Sequence, residues 1–162
     1  MSQVIARLEE LGFTLPTVSA PAGAYVPAVI SGNLVYTAGQ LPFVDGALPA
    51  TGKVGSGSGA DTGAALVDPA DAKRYAELSA LNALAAVESV LGSLDRVVRI
   101  VKVTGFVASD PSFTGQPGVI NGASEFLGEV FGEAGIHARS AVGVAVLPLD
   151  SPVEVEMIVE FA

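Results

Sequence analysis

The chain contains no cysteine and only one histidine, His137. The first absence excludes disulfide scaffolds, thiolate metal sites and cysteine nucleophiles. The second excludes a multi-histidine zinc site within one chain, and no metal is expected. Cations are scarce as well: eight lysines and arginines are scattered along the sequence, and the formal net charge is −9. Nucleic-acid binding relies on clustered cations that displace counterions from a phosphate backbone, so no nucleic-acid partner is expected. No apolar run approaches the roughly 18 residues that a membrane-spanning helix needs. Ser2 to Glu10 lack the basic start and apolar core of a signal peptide. The expected location is the cytoplasm, with no membrane partner.

Half of the 162 residues are hydrophobic and only 15% are charged. That balance suits a single domain over 1–162, with a real core and an apolar surface covered by another subunit. An amphipathic helix is expected from Ser2 to Leu11, stopped by Gly12, inside an N-terminal extension over 1–24. Ala28-Val29-Ile30, the turn Ser31-Gly32-Asn33 and Leu34 to Ala38 read as a hairpin. Residues 43–67 are rich in Gly, Ser and Asp and read as a flexible insertion loop. Asp68-Pro69-Ala70-Asp71 is a helix start, with a capping carboxylate and a proline at the first helical position. Apolar residues then recur at helical spacing from Tyr75 to Leu91, ahead of Gly92. Arg96 to Val107 is β-rich without strict alternation, the pattern of a strand buried on both faces. A second long helix follows Gly115-Gln116-Pro117 and ends at Gly132, and two strands, 140–146 and 152–161, close the chain. This order predicts an α+β fold, a mixed sheet carrying two long helices on one face.

Two tempting motifs fail. Between Gly46 and Gly52-Lys53 there are five residues where a phosphate loop has four, and Val54 stands where it needs Ser or Thr. Gly55-Ser56-Gly57-Ser58-Gly59 spells a nucleophile elbow but lies in a loop without a strand-to-helix turn. His137 reads as a polar residue in the turn before a strand.

The last two strands hold a more promising constellation. Alternation places Val142, Val144 and Val146 on one side, toward the helices, and Arg139, Ala141, Gly143 and Ala145 on the other. In the final strand Val153, Val155, Met157, Val159 and Phe161 form the core face, opposite Glu154, Glu156, Ile158 and Glu160. If the two strands pair as a hairpin, Glu154 comes near Arg139, giving either an anion and water site or an ordinary ion pair.

The residues then resemble a known family. Tyr25-Val26-Pro27-Ala28, with Gly32-Asn33-Leu34-Val35-Tyr36-Thr37-Ala38-Gly39-Gln40-Leu41-Pro42, is similar to the N-terminal hairpin of the Rid family (YjgF/YER057c/UK114, also labelled endoribonuclease L-PSP). Asn121 with Phe126 and Phe131 resembles its second helix. Ala138-Arg139-Ser140-Ala141-Val142, Leu147-Pro148 and Val153-Glu154-Val155-Glu156 resemble its C-terminal signature. The resemblance implies a chorismate-mutase-like fold, a homotrimer and small-molecule clefts between subunits. It also implies cofactor-free hydrolysis of reactive enamines and imines to a 2-keto acid and ammonia. By the same resemblance Arg139 grips the substrate carboxylate and Glu154 positions the attacking water. Tyr25, Gly39, Asn121 and Ala141 line the cleft, Gly39 through its backbone. The family's pattern has Ser where this chain has Ala38, and often Cys where it has Ala141, and the 1–24 and 43–67 segments are additions. Two alternatives stand beside the deaminase: a trimer that binds a small carboxylate without turnover, and an endoribonuclease, disfavoured by the net charge.

Overall fold

The structure, a computed structural model, describes residues 2–18, 20–21, 23–59 and 63–162. The first helix, α1 (Gln3–Glu10), is capped by Ser2, whose hydroxyl accepts from Ile5 N, and Gly12 leaves it at φ +85°. Its seat is Asp95, whose carboxylate accepts from Ser2 Oγ at 2.8 Å, Gln3 N at 3.0 Å and Val4 N at 2.9 Å. The two backbone donors are among those a helix start leaves unpaired, so one carboxylate fixes the helix onto the body. Leu8 points inward and is fully buried.

Strands β1 (Ala28–Ser31) and β2 (Leu34–Thr37) form the expected hairpin, with Gly32 at φ +62° in its turn. Helix α2 (Pro69–Leu91) begins where Asp68 Oδ1 accepts from Ala70 N at 2.8 Å. It ends at Gly92, whose φ of +74° suits glycine. Strand β3 (Val97–Ala108), helix α3 (Gln116–Phe131) and strands β4 (Ala138–Val144) and β5 (Val153–Phe161) follow. Between 43 and 67, isolated bridges join Val54 to Val67 and to Ser109, and Val54 is fully buried. No helix among the described residues is long and apolar enough to cross a membrane.

The sheet runs β1-β2-β5-β3-β4, antiparallel except for the parallel pair β3/β4. It is therefore mixed, and α2 and α3 cover one face, as an α+β sandwich requires. Small residues let these layers approach closely. A side chain on Gly122 would strike the Lys73 backbone of α2, and one on Gly105 of β3 would run into Ile120. Alanines 72, 76, 80 and 83 continue the fit along α2, all fully buried. Burial at such sites removes apolar area from water at about 25 cal/mol per Å² while keeping interior packing density.

Three expectations need correction. Strand β3 is not buried on both faces: Ile100, Val103 and Val107 are fully buried, but Val98 is 47% exposed. Register shifts between Val97 and Arg99 and between Ile100 and Lys102 break the alternation, which is why no clean period shows along this strand. Nor do β4 and β5 form a hairpin, because β3 lies between them. The parity read for β4 is also inverted. Val142 is 43% exposed, whereas Ala141 packs on the core and a side chain on Gly143 would meet Gln116 Nε2 of α3. The small residues of β4 make room for α3, and its valines face the uncovered side.

Candidate functional site

The predicted residues form two groups, each assembled by different elements. In the first, Gln40 leaves β2 and bridges to β5, with Gln40 N donating to Val155 O at 2.8 Å and Val155 N to Gln40 O at 3.0 Å. This clamp lays Gly39 against Glu154. A side chain at Gly39 would collide with the Glu154 carboxylate, whose Cδ lies 2.7 Å from the position a Cβ would take. Glycine is needed here for close approach; its φ is not in the left-handed region. Among the described residues nothing accepts from the Gly39 N–H, and nothing donates to the Glu154 carboxylate.

Around this pair opens a cavity of about 360 Å³, walled by Tyr25, Pro27, Leu41, Phe43 and Leu149 and floored by Glu154. The strap carrying Leu41 and Phe43 is fixed from the core. Asn82 of α2 donates through Nδ2 to Leu41 O at 2.8 Å and to Phe43 O at 3.1 Å. The walls are apolar and the one carboxylate is half-buried, so water solvates its charge poorly. Burial raises the Glu154 pKa above the ordinary carboxylate value, and the neighbouring Glu156 charge raises it further. A carboxylate so placed is a better proton acceptor than one on the surface.

The second group gathers on α3. Arg139 Nη1 donates to Asn121 Oδ1 at 2.8 Å and to Ser124 Oγ at 3.2 Å, and Nη2 donates to Pro117 O at 3.3 Å. Three of the five guanidinium N–H groups are thus spent on α3. The two that remain, Nε–H and one on Nη2, have no acceptor among the described residues. A planar cation held on one side with two donors free suits a carboxylate. Ala141, two residues on, shares the Arg139 side of β4 and packs against the core.

Sequence reasoning passed over Ser124 and His137. The signal was present: Ser124 lies three residues after Asn121, on the same helix face, and His137 lies two before Arg139, on the same strand side. His137 stands in the turn before β4, as expected, but it also touches Ser124, with Nε2 2.9 Å from Oγ. Burial lowers the His137 pKa; the Gly135 carbonyl works against that shift and the Arg139 charge adds to it.

Within one chain the two groups do not meet. Arg139 pairs with Val103 and faces the helices, while Glu154 pairs with Phe106 and lies between the buried Val153 and Val155, facing away from them. One intervening strand and a three-residue offset separate them by about 10 Å in each direction, on opposite faces of the sheet. The Arg139–Glu154 pairing expected from a terminal hairpin is therefore wrong for a single chain. Among the described residues no cluster of three or more His, Cys, Asp or Glu could hold a metal ion.

The chain is similar to known proteins over nearly its whole length. It is 44% identical over 159 residues to Protein TCP17 of Trypanosoma cruzi, covering 98% of this chain and 94% of that one. It is 36% identical over 148 residues to the 2-iminobutanoate/2-iminopropanoate deaminase of Escherichia coli K12, covering 90% and 94%. The solved structure of Atu1372 from Agrobacterium tumefaciens, of unknown function, superposes with a TM-score of 0.87 at 48% identity, covering 98% and 92%. Residues 5–161 match the family described as "YjgF/chorismate mutase-like, putative endoribonuclease". With that match, the mixed five-stranded sheet under its helices and relatives of this similarity, the chain belongs to the YjgF/chorismate mutase-like family.

Proposed function

We propose that the protein is a cofactor-free hydrolase of 2-imino acids, and that each active site is shared by two neighbouring subunits of a homotrimer. The observation that carries this reading is Arg139, braced by α3 with two guanidinium donors free. A relative 36% identical carries the name of an imine deaminase. Arg139 of one subunit grips the substrate carboxylate in two-point fashion, with Asn121 and Ala141 beside it. The neighbouring subunit supplies Tyr25, the free N–H of Gly39 and the Glu154 carboxylate.

The chemistry balances with water alone. Glu154 accepts a proton from water as its oxygen bonds to the imine carbon, giving a carbinolamine. Glu154 returns that proton to the former imine nitrogen, then takes the proton of the new hydroxyl and delivers it to the same nitrogen, so that the C–N bond breaks as the C=O bond forms and ammonia leaves a 2-keto acid behind. The raised pKa of Glu154 suits it to both halves of that transfer. The carboxylate grip places the imine carbon beside the water, where orientation rather than strong acid–base help lowers the barrier.

Mixing separately inactive variants tests the shared site. Ammonia release is measured from 2-aminoacrylate and from bulkier imines generated by an amino-acid oxidase. Arg139→Ala and Glu154→Gln are each expected to lose activity. After co-refolding in equal amounts, random trimers regain roughly one quarter of the wild-type rate, because one site in each mixed trimer is whole. No recovery from the mixture refutes the shared site, and no release by wild type over buffer refutes the hydrolase. In that second case binding of a keto acid without turnover becomes the better reading.

A further inference from the structure

The guanidinium of Arg139 is held from behind by a line of polar contacts that ends on the only histidine in the chain. Arg139 Nη1 donates to Ser124 Oγ at 3.2 Å, Ser124 Oγ lies 2.9 Å from His137 Nε2, and His137 Nδ1 lies 2.6 Å from Gly135 O. The hydrogens along this line can be assigned from chemistry. A carbonyl oxygen only accepts, so Nδ1 carries the ring proton. Nε2 of the neutral ring is then an acceptor, and the Ser124 hydroxyl donates to it. That leaves the lone pairs of Oγ turned to Arg139, which has only donors to offer. Each group thus has one role, and the order runs from cation to carbonyl across α3, the Gly132–Gly135 turn and β4.

Without His137 the Ser124 hydroxyl loses the partner that fixes its rotation, and its hydrogen is free to swing toward the cation. Without Ser124 the guanidinium keeps Asn121 and Pro117 but loses the contact that sets its tilt. We propose that His137 and Ser124 are positioning residues for Arg139: the Nδ1–H tautomer of His137 orients the Ser124 hydroxyl, and that hydroxyl sets the guanidinium so that its two free donors face the ligand. This rests on the reading of Arg139 as a carboxylate anchor. It assigns to two residues outside the cleft a role in how well that anchor is aimed.

Because His137 is the sole histidine, labelling histidine with ¹⁵N gives the spectrum of one imidazole. At mildly alkaline pH, wild type is expected to show the Nδ1–H tautomer. Ser124→Ala shifts the Nε2 resonance, whereas Ser124→Thr, which keeps the hydroxyl, preserves it. Calorimetric titration with 2-oxobutanoate is the second readout. Ser124→Ala and His137→Phe are expected to bind about tenfold more weakly, the lower range for a lost hydrogen bond to a charged group. Ser124→Thr is expected to bind within about twofold of wild type. An Nε2–H tautomer in wild type, or unchanged affinity in Ser124→Ala, overturns the proposal. Both readouts are independent of turnover. If wild type releases no ammonia yet the tautomer and affinity results hold, the positioning role stands and hydrolysis falls; if hydrolysis holds while the variants bind normally, the reverse is true.

Discussion

Replacing Gly39 by alanine is the sharpest perturbation of the proposed chemistry, because the structure limits what it disturbs. The φ of Gly39 lies outside the left-handed region, so alanine brings no backbone strain. Its only cost is steric, against Glu154. Glu154 Oε1 comes closest to the new Cβ and Cδ lies 2.7 Å from it, so the carboxyl group must retreat by more than the ~0.7 Å that would bring Cδ alone to ordinary contact at 3.4 Å. The side chain is flexible enough to do so by leaving its rotamer, at a cost of about 1 kcal/mol. For a chain of this size that lowers Tm by roughly 2–4 °C. Activity is far more sensitive, since a displacement of about 1 Å at a reacting group costs about 100-fold. Gly39→Ala should therefore stay folded, melt slightly early and lose about 100-fold in kcat/KM for imine hydrolysis. The same change made in a Glu154→Gln background isolates the cause: it should cost almost nothing more, since the group it displaces is already disabled. A Gly39→Ala protein with wild-type kcat/KM, or an equal further loss in the Glu154→Gln background, would refute the reasoning.

Two other predictions follow from charge. The Glu154 pKa is raised by burial and then by Glu156. A base must be ionised to act, so kcat/KM should fall as pH drops through that raised value. Glu156→Gln removes only the smaller cause and should move the acid limb of the pH–rate profile to lower pH, and an unmoved limb would count against Glu154 as the base. The Asp95 pKa is lowered, chiefly by the Val4 N–H and then by the Ser2 hydroxyl. The folded value thus lies below the unfolded one, so the hold on α1 is complete above the ordinary carboxylate range and fades as pH falls through the depressed value. Hydrogen exchange should show α1 losing protection in acid before α2 and α3, and Asp95→Ala should show that loss already at neutral pH.

The parts of this fold that sequence made legible are those fixed by neighbours along the chain. The Asp68-Pro69 start and Gly92 stop of α2, the Gly32 turn and the buried parity of β5 all follow from local chemistry. What escaped depends on partners distant in sequence. Alternation divides β4 into two faces but does not say which one a helix will cover. The valines suggested the wrong one, because α3 needed the space beside Ala141 and Gly143 more than it needed apolar bulk. Pairing β4 with β3 rather than β5 is likewise a choice of topology that no residue in either strand announces. The candidate residues Tyr25, Gly39 and Glu154 do converge on one cavity, and Asn121 and Arg139 do touch. Their grouping into two separate halves, and the support of the cavity strap by Asn82, came only with the structure.

The placement of Arg139 and Glu154 on opposite sides of one sheet has a consequence for how activity responds to dilution. A solitary chain offers a small ligand either the cation or the carboxylate, never both, however well folded it is. Under the shared-site reading, catalysis therefore becomes a property of concentration: it vanishes when the chains part, even if each chain keeps its fold. Such a protein is switched off by separation rather than by unfolding, and its rate per chain is a direct report on how many of its copies are together.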